Sequence, residues 1–323
     1  VENPPPTANA LGVPTPIVIL TGATACGKES AGVLLAERLA TEIVTVDSIK
    51  VYRGMDIGSA KATPEQRARV RHHCLDLAEP SETFSTGRWL EAARAAIADI
   101  SARGKVPLLI GGTALYLKAL TEGLLEHPAA DHGLRARLIA EAEAAGTPAL
   151  HARLAEVDPA AAARIHPNDR KRIVRGLEVH AVTGRPLSEL QRHWDNPNPE
   201  YAITWLGLRR GRDDLRHRIA VRVHRMFERG LIDEVRGLLA RPGGLSHTAS
   251  QALAYREVID HLAGRMVLEE TVRRTIDHTR QFAKRQGTWF RTFTQVRWAE
   301  VAPDDTAEAV AARLADELAA IRT

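Results

Sequence analysis

Apolar positions along this chain fall into two rhythms. The short runs Ile17–Leu20, Glu42–Val46 and Val106–Ile110 are mostly apolar. They are separated by segments whose apolar residues recur at helical spacing: one helix running through Leu39, and an amphipathic one over Thr86–Arg103. Short apolar runs alternating with helices predict a parallel sheet buried on both faces. Another strand is expected at Ala202–Leu208, but only after a long alanine- and arginine-rich helical stretch from about Leu124 to Trp194. Helical spacing then resumes over Leu215–Arg229, Ile232–Leu239, Ala252–Leu262 and Leu268–Phe290, and a last helix is expected from about Thr306 to Ile321. The organisation expected is a tail at 1–15, an α/β core made of 16–123 and 200–323, and a helical insertion at 124–199. Pro242-Gly243-Gly244 marks an internal loop, and no repeat is visible.

Composition narrows the class. A chain of 323 residues, 44% of them hydrophobic, is long enough to bury a core and to form two domains or one domain with an insertion. Two cysteines give neither a disulfide framework nor a CxxC metal pattern, which fits a reducing cytoplasm. No apolar stretch approaches the roughly 20 residues that a membrane-spanning helix needs. The Pro- and Asn-rich tail reads as disordered, not as a signal. A net charge of +4 permits a nucleic-acid partner without demanding one.

The first strand runs into Gly22-Ala23-Thr24-Ala25-Cys26-Gly27-Lys28, a glycine loop ending in lysine. The spacing is that of a phosphate-binding P-loop, whose backbone N–H groups curl around phosphate oxygens while the lysine supplies a point charge. The bland alternative, a glycine turn without a ligand, leaves Lys28 unexplained. Cys26 reads as a small filler. The pattern calls for Ser or Thr after the lysine, to ligate the magnesium of a bound nucleotide, but this chain has Glu29 and then Ser30. A carboxylate beside phosphate is repulsive unless a metal or a rotated side chain intervenes.

Strand Glu42–Val46 ends in Asp47-Ser48, at the end of a parallel sheet where ligands bind. Asp47 is placed either to touch substrate or metal, or to cap the next turn. The loop Val51–Lys61 holds two glycines and several polar groups, more than a connector needs. Basic residues cluster at Arg164, Arg170, Lys171, Arg172 and Arg175, and again at Arg216, Arg218, Arg222 and Arg225. Such runs are either solvated helix faces or phosphate-neutralising surfaces. In Arg273–Arg297, basic residues interleave with aromatics, and helical spacing favours Phe282, Trp289 and Phe293 as core. His166, His180 and His193 lack zinc-ligand spacing, so no zinc site is expected.

Taken in order, Gly22–Lys28, Asp47-Ser48, Val51–Lys61, the run Leu108–Tyr116 with Gly111-Gly112-Thr113, Asp158-Pro159 before Arg164–Asp169, Arg175–Val179, and Ala283–Gln286 before Thr288–Arg291 resemble the tRNA dimethylallyltransferase family. The resemblance spans about Pro16 to Trp298. It implies a P-loop parallel sheet core with a helical insertion domain that binds tRNA. It also implies prenyl transfer from dimethylallyl diphosphate to N6 of the adenosine 3′ of a tRNA anticodon.

On that reading Gly22, Ala23, Thr24, Ala25, Cys26, Gly27, Lys28 and Glu29 hold a diphosphate leaving group, with Mg2+ near Glu29 or Ser30. Asp47 matches the family's catalytic aspartate and would take the proton from the adenine amine, while Thr113 matches a threonine near the transferred group. Asp47, Ser48, Ile49 and Lys50 would line the pocket of the flipped adenine, with Lys50 departing from the glutamine of many members. Arg135, the segment Lys171-Arg172-Ile173-Val174-Arg175 and the segment Gln251-Ala252-Leu253-Ala254-Tyr255-Arg256 correspond to tRNA contacts. Ala254 stands where glycine is usual, which suits the backbone only if φ is negative there.

Three rivals remain open from sequence. A small-molecule P-loop kinase needs a hydroxyl at Glu29 and no basic insertion. A prenyltransferase of free adenine nucleotides needs no insertion either. A tRNA-binding protein without catalysis would fit Glu29, but not the retention of Lys28, Asp47 and Thr113. A monomer is expected.

Overall fold

The computed structural model describes residues 13–124, 131–191 and 199–322. The expected disordered tail therefore lies outside the described residues up to position 12. At its other end Thr15 already belongs to the first strand. His193 and Trp194 also lie outside them. The chain forms two compact units, residues 1–117 with 199–323, and residues 118–198. The second unit begins inside the helix Ala114–Glu122, earlier than position 124.

Strands β1 Thr15–Gly22, β2 Ile43–Val46, β3 His72–His73, β4 Leu108–Gly111, β5 Tyr201–Arg210 and β6 Arg297–Val301 make one sheet of order β3-β2-β4-β1-β5-β6. Every pairing is parallel. β1 is central, pairing Val18 with Leu108 on one side and Thr15 through Gly22 with Tyr201 through Leu208 on the other. Its apolar run is continuous because both faces are covered. Val18, Leu20 and Leu108 pack with Val33 and Leu35 of helix Lys28–Arg38 and with Val310, Leu314 and Leu318 of helix Ala307–Arg322. Each such fully buried aliphatic side chain contributes roughly 1.5–3 kcal/mol. Trp89, also fully buried, donates Nε1–H to Thr45 O at 3.0 Å and stacks on Tyr116 with centroids 4.5 Å apart.

Three elements escape the hydrophobic pattern. β6 is a part-exposed edge strand whose Arg297 and Glu300 interrupt its apolar residues, so it shows no apolar run. β3 has only two residues. Helix Pro64–Arg69 buries no residue and rests on a capping box between Thr63 and Gln66. The helix expected over Ala252–Leu262 is replaced by a short turn of helix, His247–Ser250, followed by Tyr255–Leu262. Ala254, at φ +71°, separates them. No described helix is long and apolar enough to cross a membrane.

The second unit is helical, comprising His132–Ala145, Thr147–Val157, Pro159–Ala162, Arg170–Thr183 and Leu187–Leu190, besides the end of Ala114–Glu122. Leu138, Leu150, Leu154, Ile173, Val174 and Leu177 form its core. Asp158 ties the short helix Pro159–Ala162 to the helix Leu187–Leu190. Buried, it accepts from Ala161 N at 2.9 Å, Ser188 Oγ at 2.5 Å and Ser188 N at 2.8 Å. Gly176 gives the close approach of two helices, since a Cβ there would meet Leu154 Cδ1 at 2.8 Å.

Candidate active site

The loop after β1 is shaped by its glycines. Gly22 has φ +152°, and a Cβ on it would meet Leu208 O at 2.7 Å and Cys26 Sγ at 2.8 Å. Gly27, at φ +100°, caps helix Lys28–Arg38 with no side-chain acceptor on its first amides. Those amides have no intrahelical partner and carry the positive end of the helix dipole, which suits an anion. Lys28, 7% exposed, folds back with Nζ 3.4 Å from Ala23 O.

Two residues brace the loop, and sequence reasoning assigned neither a role. Gln286, on helix Leu268–Phe290, accepts from Thr24 N at 2.8 Å and donates to Gly112 O at 2.9 Å. Arg210, at the end of β5, donates to Cys26 O at 2.9 Å and pairs with Asp214 at 2.8 Å. Thr24 N–H and Cys26 N–H are thus spent inside the protein, the latter on Ala23 O at 3.2 Å. Both amides, expected to cradle phosphate, are hydrogen-bonded within the protein here, and the Cys26 side chain is buried. The only signal for Gln286 was its place in a quoted motif.

β2 and β4 lie side by side with Val46 paired to Gly111, so Asp47 and Thr113 follow adjacent strand ends. Gly111 permits this, since a Cβ on it would fall 2.0 Å from Val46 O. Thr113 Oγ1 accepts from Ser48 N at 3.2 Å. Asp47 Oδ1 accepts from Ile49 N at 2.8 Å and Lys50 N at 3.2 Å, so the turn-capping role is real. Among the described residues no hydrogen bond is given to Oδ2. The aspartate is therefore held in one orientation with an oxygen to spare, as a general base requires.

Lys50 does not line a base pocket. Its side chain is 4% exposed and its Nζ lies 2.9 Å from Glu29 Oε1, while Glu29 is 35% exposed. Burial by itself pushes the Glu29 carboxyl up, but Lys50, Lys28 and Arg222 outweigh it and hold the group below the ordinary carboxylate range. The donor set does not fit a P-loop magnesium. No hydroxyl follows Lys28, and the carboxylate in its place is committed to an ammonium and ringed by cations.

Beside the loop is a cavity of about 450 Å³ lined by Lys28, Glu29, Arg218, Arg222, Arg225 and Arg229 among others. Of the arginines on helix Arg212–Glu228, Arg218, Arg222 and Arg225 line this cavity, whereas Arg212 and Arg216 line a second cavity of about 830 Å³. Ile57, Ala60 and Lys61 complete the first cavity's wall. Glu234 holds that wall, accepting from Ile57 N at 2.7 Å, Asp56 N at 3.0 Å and Gly58 N at 3.2 Å.

Several expected tRNA contacts are structural instead. Tyr255 is fully buried, and its hydroxyl donates to Glu234 at 2.7 Å. Ala252 and Ala254 are buried and Leu253 is half-buried, leaving Gln251 and Arg256 as the polar surface of that segment. Arg256 pairs with Glu257 at 2.9 Å. In the helical unit Ile173 and Val174 face its core, while Lys171 and Arg172 are exposed. Arg135 and Arg175 each reach Glu178 Oε2 at 2.7 Å. Burial pushes the Glu178 carboxyl up, and the two guanidiniums more than reverse this. Of the aromatics near the end of helix Leu268–Phe290, Phe290 and Phe293 are buried, whereas Phe282 and Trp289 are half-exposed. Among the described residues Glu42, His73 and Asp99 stand close enough for a cation, but Glu42 is already paired with Arg103 and Lys105.

A lysine-ended glycine loop after the central strand of a parallel sheet, facing an arginine-lined cavity, is the layout of an α/β protein with a P-loop-type fold. Residues 50–293 match the IPP transferase family. A tRNA dimethylallyltransferase of Geobacter sulfurreducens is 47% identical over 292 residues, covering 90% of this chain and 94% of its own. That of Methylococcus capsulatus is 48% identical over 306 residues, covering 93% and 98%. The crystal structure of a tRNA isopentenylpyrophosphate transferase from Bacillus halodurans superposes with a TM-score of 0.69 at 38% identity, covering 94% of this chain and 96% of its own. A eukaryotic dimethylallyltransferase solved acting on tRNA shares the fold, with a TM-score of 0.78 at 24% identity, covering 96% and 80%. The chain belongs to the IPP transferase family.

Proposed function

We propose that this protein transfers the dimethylallyl group of dimethylallyl diphosphate to N6 of the adenosine 3′ of the anticodon in tRNA, releasing diphosphate. One observation carries the reading: three motifs distant in sequence meet at one end of the sheet. Lys50 bridges to Glu29 of the phosphate-loop helix, and Ser48, on the same turn as Asp47, bridges to Thr113.

The donor's diphosphate lies on the free amides at the start of helix Lys28–Arg38, beside Lys28 and the arginines of the adjoining cavity. The N6 lone pair attacks C1 of the dimethylallyl group, the C1–O bond breaks, and its electron pair leaves on the diphosphate. Asp47 takes the N6 proton through the oxygen its turn leaves over. Thr113 fixes the Asp47-Ser48 turn through Ser48 N–H. The donor set at Glu29 does not fit a magnesium ion, so the charge on the leaving diphosphate is met by Lys28 and the arginines of the cavity. Lys171 and Arg172, exposed on the helical unit, offer charge to tRNA phosphates, and the protein works as a monomer in the cytoplasm.

The test is to incubate purified protein with labelled dimethylallyl diphosphate and unmodified tRNA bearing adenosine 3′ of its anticodon, then to analyse the nucleosides. Isopentenyladenosine at that position is expected. Label appearing only on free adenine nucleotides, or nowhere, would overturn the reading.

A further inference from the structure

Glu29 and Lys50 each look wrong alone. A carboxylate in the first turn of a phosphate-binding helix repels the anion it should bind, and a lysine almost wholly removed from water should lose its charge or its burial. Together they explain each other. The 2.9 Å contact makes a neutral pair, so the loop carries the same net charge as one with a hydroxyl at this position. The pair also joins the phosphate-loop helix to the turn that holds Asp47, since Lys50 N is one of the two amides on Asp47 Oδ1.

We propose that the Glu29–Lys50 pair replaces the hydroxyl-ligated divalent cation of a P-loop: the carboxylate is neutralised from inside the protein by an ammonium, and diphosphate binds this loop without a metal at the Glu29 position. The proposal rests on the donor reading above and specifies how that site handles its charge. Positive charge toward the ligand then comes from Lys28 and from Arg218, Arg222 and Arg225 across the cavity. Lys50 is a positioning residue that acts through Glu29.

The experiment is calorimetric titration of the whole chain, without tRNA, using inorganic pyrophosphate in EDTA and again with magnesium. The wild type is compared with Glu29→Thr, Lys50→Gln and Glu29→Thr/Lys50→Gln. Circular dichroism checks that each variant is folded. The wild type is expected to bind pyrophosphate in EDTA within about threefold of its affinity with magnesium. The double variant, with its hydroxyl restored, should gain about tenfold or more from magnesium. Lys50→Gln should bind more weakly than the double, because it leaves the Glu29 carboxylate uncompensated beside the anion, whereas Glu29→Thr, which removes that carboxylate, should bind pyrophosphate in EDTA at least as tightly as the double. Equal magnesium dependence in wild type and double variant, or additive single effects, overturns the proposal and leaves the donor site standing. Absence of pyrophosphate binding under both conditions overturns the donor site and the proposal with it.

Discussion

The phosphate-loop end of the sheet and the helical unit 118–198 are built on different principles. At the sheet end each reactive position is fixed by residues far away in sequence. Gln286 holds Thr24 and Gly112, Arg210 holds Cys26 O, Thr113 holds Ser48, and Lys50 holds Glu29. In the helical unit the basic residues ride on helix Arg170–Thr183, whose inner face makes a small separate core and whose Lys171 and Arg172 meet solvent. Chemistry needs groups located to a fraction of an ångström, while phosphate neutralisation needs only charge at roughly the right place. On the function proposed above, turnover belongs to the first region, and Lys171 and Arg172 of the second contribute affinity for tRNA.

The strongest way to sharpen that division is Asp47→Ala. Loss of a general base is expected to lower turnover by roughly 10²–10⁴-fold, with tRNA affinity in a filter-binding assay nearly unchanged. Gln286→Ala should come next. It leaves Thr24 N–H and Gly112 O without their buried partner, at about 1–3 kcal/mol for each unsatisfied group. A fall in kcat/KM of about tenfold or more and a lower unfolding midpoint are expected, again with tRNA affinity kept.

On the other side of the comparison, Glu178→Gln should release Arg135 and Arg175 and lower the Tm of the helical unit at pH 7, with little effect on pyrophosphate binding. The folded Glu178 carboxyl lies below its unfolded value, so its stabilisation is present above the unfolded value of about 4.5 and is lost as pH falls through the folded one. The Tm gap between wild type and Glu178→Gln should therefore narrow between pH 5 and pH 3. Smallest is Ala254→Gly. A non-glycine residue at φ +71° stores about 1–3 kcal/mol, part of which glycine gives back as chain entropy. A net gain near 1 kcal/mol should appear in denaturant unfolding.

How much of this was legible in sequence follows from how local each feature is. β1, β2, β4 and β5 announce themselves as apolar runs, and the glycine loop by its spacing. Asp47 and Thr113 follow from where their strands end. Gln286, Glu234 and the Glu29–Lys50 pair depend on contacts between elements that only the folded chain brings together, so no local pattern could show them. Ile173 and Val174 are a different case. They sit at helical spacing with Leu177, an apolar stripe that marks an inward face, whereas the resemblance places the whole segment 171–175 among tRNA contacts. Tyr255 likewise belongs to the wall through Glu234, although the segment around it holds the polar Gln251 and Arg256.

The division of labour is tested most directly by a crossed binding experiment. Lys28→Ala and Lys171→Ala/Arg172→Ala are each titrated with pyrophosphate and with unmodified tRNA. Lys28→Ala should weaken pyrophosphate binding by at least tenfold and leave tRNA affinity within about twofold. The double variant should do the reverse, and lower the salt dependence of tRNA binding by about two phosphate contacts. If both variants weakened both ligands to the same degree, the separation of chemistry from tRNA affinity would be contradicted.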